Sequence, residues 1–318
     1  MADDELPTIG DLVSNWLGVQ LPTIPLPQTL RNIDKAIGKI VLAGGENVEA
    51  RIKASTTKAK ARTKIEVDGM FRTEDEERKF ENRTASMKAA LEEIGAGPAA
   101  ADAASEIEDD WLNLFARLSE DKSSEELQQL FGKILSGEIR RPGSFSLRTL
   151  QVMSTLTKGD AETLSRLLSY VINGVVLPFE TGESGSPSTA ERLFLVELTI
   201  GSHPSQIGGM KYDFSIPPGS HILAASGRGL LIQNQTSAAV AISIAGQILS
   251  QAGKELIKIA NPPLTDLEFL KKIATQIKSD LRSNCATEVG GGLLQVHVVA
   301  ITPTERGQFR DSVIHTTA

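Results

Sequence analysis

The chain has 318 residues, about two domains' worth at roughly 150 residues each, long enough to bury a core without a disulfide or metal. Its 40% hydrophobic and 23% charged residues exclude a wholly disordered polypeptide, and its net charge of −7 with only 4% aromatics argues against generic polyanion binding or a base-stacking surface. One cysteine, Cys285, excludes an intramolecular disulfide and a cysteine-rich zinc site.

The chain opens on Ala2-Asp3-Asp4-Glu5, acidic where a secretory signal carries cations. Two uncharged stretches need a membrane test. Pro22, Pro25 and Pro27 interrupt Leu12–Leu30, and the amides Gln233, Asn234, Gln235, Gln247 and Gln251 crowd Gly229–Gly253, so neither reads as a span. The expected location is the cytoplasm, and a membrane partner is not expected.

Residues 1–28 read as an extended, proline-containing arm, because each proline removes a donor and restricts the residue before it. Residues 29–94 read as a charged helical arm, of which Glu46 to about Arg83 is expected to be largely solvated. It starts with the apolar stripe Leu30, Ile33, Ile37, Ile40 and Val41. Within it Arg51, Lys53, Lys58, Lys60, Arg62 and Lys64 form a basic run that would suit nucleic acid or an anionic surface. An acidic block at Glu74–Glu77 follows, and no aromatics interleave, which favours two charge blocks solvating a helix.

Gly95–Ala101 has linker composition. Residues 102–180 then read as a four-helix core domain. Acids at Glu106–Asp110 precede Trp111, Leu112 and Phe115; Ser123 with Glu126 forms a capping box ahead of Leu127, Phe131, Ile134 and Leu135. Pro142-Gly143 stops that helix, Ser146 caps the next, and Thr157 with Asp160 opens a fourth.

After a Gly/Ser/Pro boundary at 181–188, residues 189–303 read as an α+β domain, with 304–318 as a tail. Its expected parts are a helix over Arg192–Leu198 and a hairpin of Leu230–Ile232 with Ala239–Ile244 turning at Asn234–Ser237. A helix over Gln251–Ile259, a helix capped by Thr265 with Glu268, and a strand at Leu293–Ile301 follow. The fold class is therefore mainly α: a helical arm and compact bundle, then a smaller α+β domain with winged-helix-like parts.

Four segments carry a family resemblance: Asp109-Asp110-Trp111-Leu112-Asn113-Leu114-Phe115, Ser124-Glu125-Glu126-Leu127-Gln128, Gly132–Ile139 and Pro142–Leu150. They resemble the bacterial DUF2806 family of unknown function, with a looser likeness to the abortive-infection alpha proteins. The resemblance implies a charged helical arm ahead of the tryptophan motif and a small mixed domain behind it. There Leu249–Leu256 looks like the family's Leu-x-x-x-Gly-x-Glu-Leu turn. Between Gly201 and Gly229 the sequence departs from that pattern. The resemblance implies no catalytic residues, and its looser arm suggests phage defence or mobile elements.

No catalytic, cofactor-binding or metal residues are assigned. The four histidines, His203, His221, His297 and His315, show no metal-ligand spacing. His297 reads as a half-exposed strand residue and His221 as a loop residue. Glu106, Glu108, Asp109 and Asp110 could form a divalent-metal cluster, but acids at a helix start are more simply partners of its dipole. Gly290–Gly292 and Ala225–Gly229 lack the context of a phosphate cradle. The abundance of apolar stripes over reactive groups points to a non-enzymatic protein-interaction or regulatory protein, binding a protein partner or itself. Its candidate surface residues are the six cations of 51–64 with Arg140, Arg141 and Arg148. The alternative is a DNA-binding regulator using the winged-helix-like domain and the basic stretch 51–64.

Overall fold

A computed structural model describes residues 26–41, 74–96, 102–179, 187–202, 210–284, 294–303 and 309–316. They form two compact units, one running to Lys158 and one starting at Gly159.

The first unit is helical: α1 (Pro27–Ile40), α2 (Glu74–Ala96), α3 (Asp109–Ser119), α4 (Glu125–Arg140) and α5 (Leu147–Thr155). Proline at its start suits α1, because the first turn has no use for the missing N–H. The apolar stripe expected at the start of the arm is largely buried. Ile33, Ala36, Ile37 and Ile40 of α1 and Met87, Ala90, Leu91 and Ile94 of α2 are buried, whereas Leu30 faces outward. The α2–α4 crossing is the closest in the unit. A Cβ on Gly132 of α4 would stand 2.5 Å from the Ala89 Cβ and 2.9 Å from backbone of α2, so only glycine permits this approach. Loop contacts reinforce it. Arg83 of α2 pairs with Glu120 at 2.9 Å, and Asn82 donates to the Glu120 carbonyl at 2.8 Å. The cap of α4 is Ser124, one residue after the expected Ser123, and Ser146 caps α5 as expected.

The second unit is mixed. It contains α6 (Lys158–Leu168), which begins at the unit boundary, β1 (Val176–Pro178), α7 (Thr189–Glu197), β2 (Lys211–Ile216), β3 (Gly219–Ala224), β4 (Arg228–Asn234) and β5 (Val240–Ile248). After these come α8 (Gln251–Leu256), α9 (Leu267–Asn284), β6 (Leu294–Pro303) and β7 (Phe309–Thr316). The sequence grouped α6 with the preceding helices; here Ser165 of α6 donates to the Ala260 carbonyl of the second unit at 3.1 Å. The helix expected over Gln251–Ile259 is α8, which ends at Leu256 and is capped by Ser250.

The strands form two antiparallel sheets, ordered β1-β5-β2 and β3-β4-β6-β7. The protein is consequently mixed α/β rather than mainly α, since the strands of residues 211–224 and 309–316 were not anticipated. Helix α9 packs on β4, β5 and β6. Its Phe269, Leu270, Ile273, Ala274 and Ile277 share one core with Phe214, Ile216, Ile242 and Ile244 of the first sheet and Leu230, Ile232, Val296 and Val298 of the second. Tyr170 meets Phe269 edge-on at 4.9 Å.

The expected hairpin of 230–232 with 239–244 is absent. β4 pairs with β3 and β6, while β5 pairs with β1 and β2. Pro217-Pro218 interrupts one side of the ladder, and residues 235–239 interrupt the other. Prolines have no amide to continue it. Asn234, 2% exposed, bridges the break. Its amide donates to the carbonyls of Ile216 and Ala238 at 2.9 Å each, and its oxygen accepts from the Thr236 N–H at 3.0 Å. The cap expected at Thr265 also moves: Asp266 accepts from the Phe269 N–H at 2.8 Å, and buried Thr265 donates its hydroxyl to the Ser169 carbonyl at 2.7 Å.

Two substitutions test this packing. Gly132→Val forces α2 and α4 apart and costs about 3 kcal/mol by urea denaturation. Asn234→Leu takes the side-chain donor away from the buried Ile216 carbonyl and costs about 1–2 kcal/mol in the same measurement.

Candidate interaction surface

The loop between α4 and α5 is short, and buried groups specify it from inside. Glu138, 3% exposed, sits in the last turn of α4 and turns its carboxylate back onto the loop. One oxygen accepts from the Gly143 N–H at 2.6 Å and the other from the Phe145 N–H at 3.0 Å. Gly143 has φ +83°, a conformation that glycine adopts without strain. Phe145 is buried, and its carbonyl accepts from the Trp111 indole N–H at 2.7 Å. Trp111 stacks on Phe115 at 5.3 Å, and Phe115 meets Phe131 at 5.5 Å. The Ser144 N–H closes the turn on the Arg141 carbonyl at 3.1 Å. A carboxylate accepting two backbone donors in a dry environment is a charge-assisted arrangement, stronger than a neutral pair.

What this locked loop presents is a cation–apolar–cation set. Arg141, Leu147 and Arg148 are exposed, Leu147 by 43%. Arg140 is drawn away from the set: its guanidinium donates to the carbonyls of Ile94 at 2.7 Å and Glu93 at 3.3 Å, closing the end of α2. Arg51, Lys53, Lys58, Lys60, Arg62 and Lys64 lie outside the described residues, as do His203, Cys285 and Gly290–Gly292.

The acidic run at 106–110 is engaged with α1. Asp109 pairs with Lys35 at 2.9 Å and Lys39 at 3.3 Å, and Glu106 with Lys35 at 3.5 Å. Hydrogen bonds from Lys35 and Lys39 hold the Asp109 carboxyl below its ordinary range. Among the described residues, no group of three or more His, Cys, Asp and Glu is placed to hold a metal ion. His221 is not in a loop but in β3, opposite Ile232, and His297 in β6 is buried rather than half-exposed. Ala225–Gly229 is the turn and first rung of the β3–β4 hairpin.

The second unit has a buried cation that sequence reasoning missed. Arg192, 6% exposed, donates to the carbonyls of Pro178 at 2.6 Å, Leu177 at 3.3 Å and Pro187 at 3.3 Å, and lies 4.9 Å from the Phe179 ring centroid. Gln247, fully buried, donates to the carbonyls of Arg192 at 3.0 Å and Ser202 at 2.8 Å. A capping box at Ser188 and Glu191 starts this helix, and the Ser-x-x-Glu spacing was available to find it.

Residues 72–175 match the family described as protein of unknown function (DUF2806). The match spans α2–α6 and ends just before β1, and it includes the Trp111, Glu138 and Phe145 lock. No curated protein and no solved structure matches the chain. No helix among the described residues is long and apolar enough to cross a membrane.

Glu138→Gln removes one acceptor and turns an amide N–H toward a backbone donor. It costs about 2 kcal/mol in thermal or urea unfolding, and proteolysis then cuts preferentially within residues 141–147.

Proposed function

We propose that this chain acts without catalysis, as a cytoplasmic interaction or regulatory protein. It contacts a protein partner through Arg141, Leu147 and Arg148. The single observation that supports this reading is the buried lock behind those residues. Glu138, Trp111 and Phe145 hold a loop whose outward side chains have no structural task among the contacts described. A loop fixed in advance spends little ordering entropy on binding, and arginines flanking an apolar side chain suit an acidic partner face with an apolar centre. Phage defence or mobile elements is the setting suggested by the looser likeness to abortive-infection alpha proteins. Self-association is the other form such contact can take.

The DNA-binding alternative loses the piece expected as its wing, because β4 and β5 do not pair with each other. Its remaining support is the basic run 51–64.

The test compares the wild-type chain with the Arg141→Glu/Arg148→Glu variant in cross-linking capture from host cells. The proposal expects cross-links concentrated at residues 141–148 and at least about a tenfold loss of the captured partner in the variant, with unfolding unchanged. Undiminished capture contradicts it. So does steeply salt-dependent retention on duplex DNA that the reversal leaves intact, which favours the basic run instead.

A further inference from the structure

We propose that α1 is a strap that docks and undocks as one unit with residues 102–109, while α2, α4 and α5 remain folded. This inference stands apart from the surface at Arg141 and Arg148 and does not depend on it.

The strap lacks an N-cap of its own, since Leu26 offers no side-chain acceptor. Asp102, 74 residues beyond Gln28, supplies the cap. Its carboxylate accepts from the N–H groups of Gln28 at 3.1 Å and Thr29 at 2.9 Å, and from the Thr29 hydroxyl at 2.9 Å. Burial pushes this carboxyl up, but the amides of Thr29 and Gln28 outweigh it and hold the group below its ordinary range. One turn further on, fully buried Asn32 donates to the carbonyls of Ser105 at 3.0 Å and Ile139 at 3.1 Å and accepts from the Ile107 N–H at 3.3 Å. Lys35 then donates to the Ile107 carbonyl at 2.7 Å and, with Lys39, pairs with Asp109.

The polar contacts of Gln28, Thr29, Asn32, Lys35 and Lys39 thus converge on 102–109, with the Ile139 carbonyl of α4 added by Asn32. A helix of 14 residues is marginal on its own, so α1 holds its shape only while these partners hold it. The segment in turn has its amides and carbonyls satisfied by α1, which couples the two. Elsewhere the unit is fastened differently: α2 and α4 meet at Gly132 and Ala89 with no room for water. Undocking exposes the apolar surface of α2, α3 and α4 on which α1 packs.

Hydrogen exchange on the full-length chain, read by peptide mass spectrometry, tests the strap. In the wild type, residues 29–41 and 102–109 should exchange together, about tenfold or more faster than the interior of α4. Asp102→Asn should speed α1 by about fivefold or more and leave α4 unchanged. Lys35→Ala, a milder change, should act in the same direction should the first variant not fold. A common rate for α1 and α4 in the wild type overturns the proposal. So does a variant that accelerates α4 as much as α1, or one that leaves α1 unmoved.

Discussion

The carboxylate of Glu138 is the contact on which the helical unit's functional geometry turns. It lies in the interior, yet its partners are the backbone amides of a six-residue corner. Burying a carboxylate is costly unless donors meet it, and Gly143 and Phe145 provide them only when the corner has one particular shape. The cost of an unsatisfied charge therefore fixes the corner. Phe145 is drawn inward, its carbonyl takes the Trp111 indole, and the exit direction of α5 follows. Arg141, Leu147 and Arg148 are carried outward by the same constraint.

Other polar side chains in both units serve the same end. Asp102 closes the first turn of α1, Arg140 the last turn of α2, Asn234 a gap between two sheets, and Arg192 a cluster of carbonyls around β1. Each satisfies backbone groups that secondary structure leaves open, and buried backbone groups must find partners somewhere. Among the described residues, many of the charged and amide side chains that would suggest chemistry are thus committed to holding the chain. That is why the functional argument rests on outward-facing residues over a rigid corner.

The helices of 109–155 were legible because stripe, cap and breaker agree locally. Trp111 and Phe115 mark one face, Ser146 caps its helix, and Pro142-Gly143 ends the one before. Two kinds of feature were not legible. Long-range polar contacts leave no periodic trace: nothing near Leu26 announces that Asp102 will cap the helix beginning there, and Glu138 reads as one more charge in an amphipathic pattern. The second kind is ambiguous punctuation. Asn234–Ser237 has the composition of a hairpin turn but instead spans a break in the ladder opposite Pro217-Pro218. The alternation Lys211-Tyr212-Asp213-Phe214-Ser215-Ile216 carries a strand signal that was left unassigned. As for the surface, Arg140, Arg141 and Arg148 were grouped by charge; only the structure shows that Arg140 is occupied at the end of α2.

The most direct measurement of this account is the exchange of the Gly143 and Phe145 amides, resolved individually by nuclear magnetic resonance. If the buried carboxylate fixes the corner, both amides are protected to the same degree as those in the middle of α4, although they lie in a loop. Exchange of either amide at the pace of an exposed turn would contradict the account, because the corner would then hold its shape without Glu138.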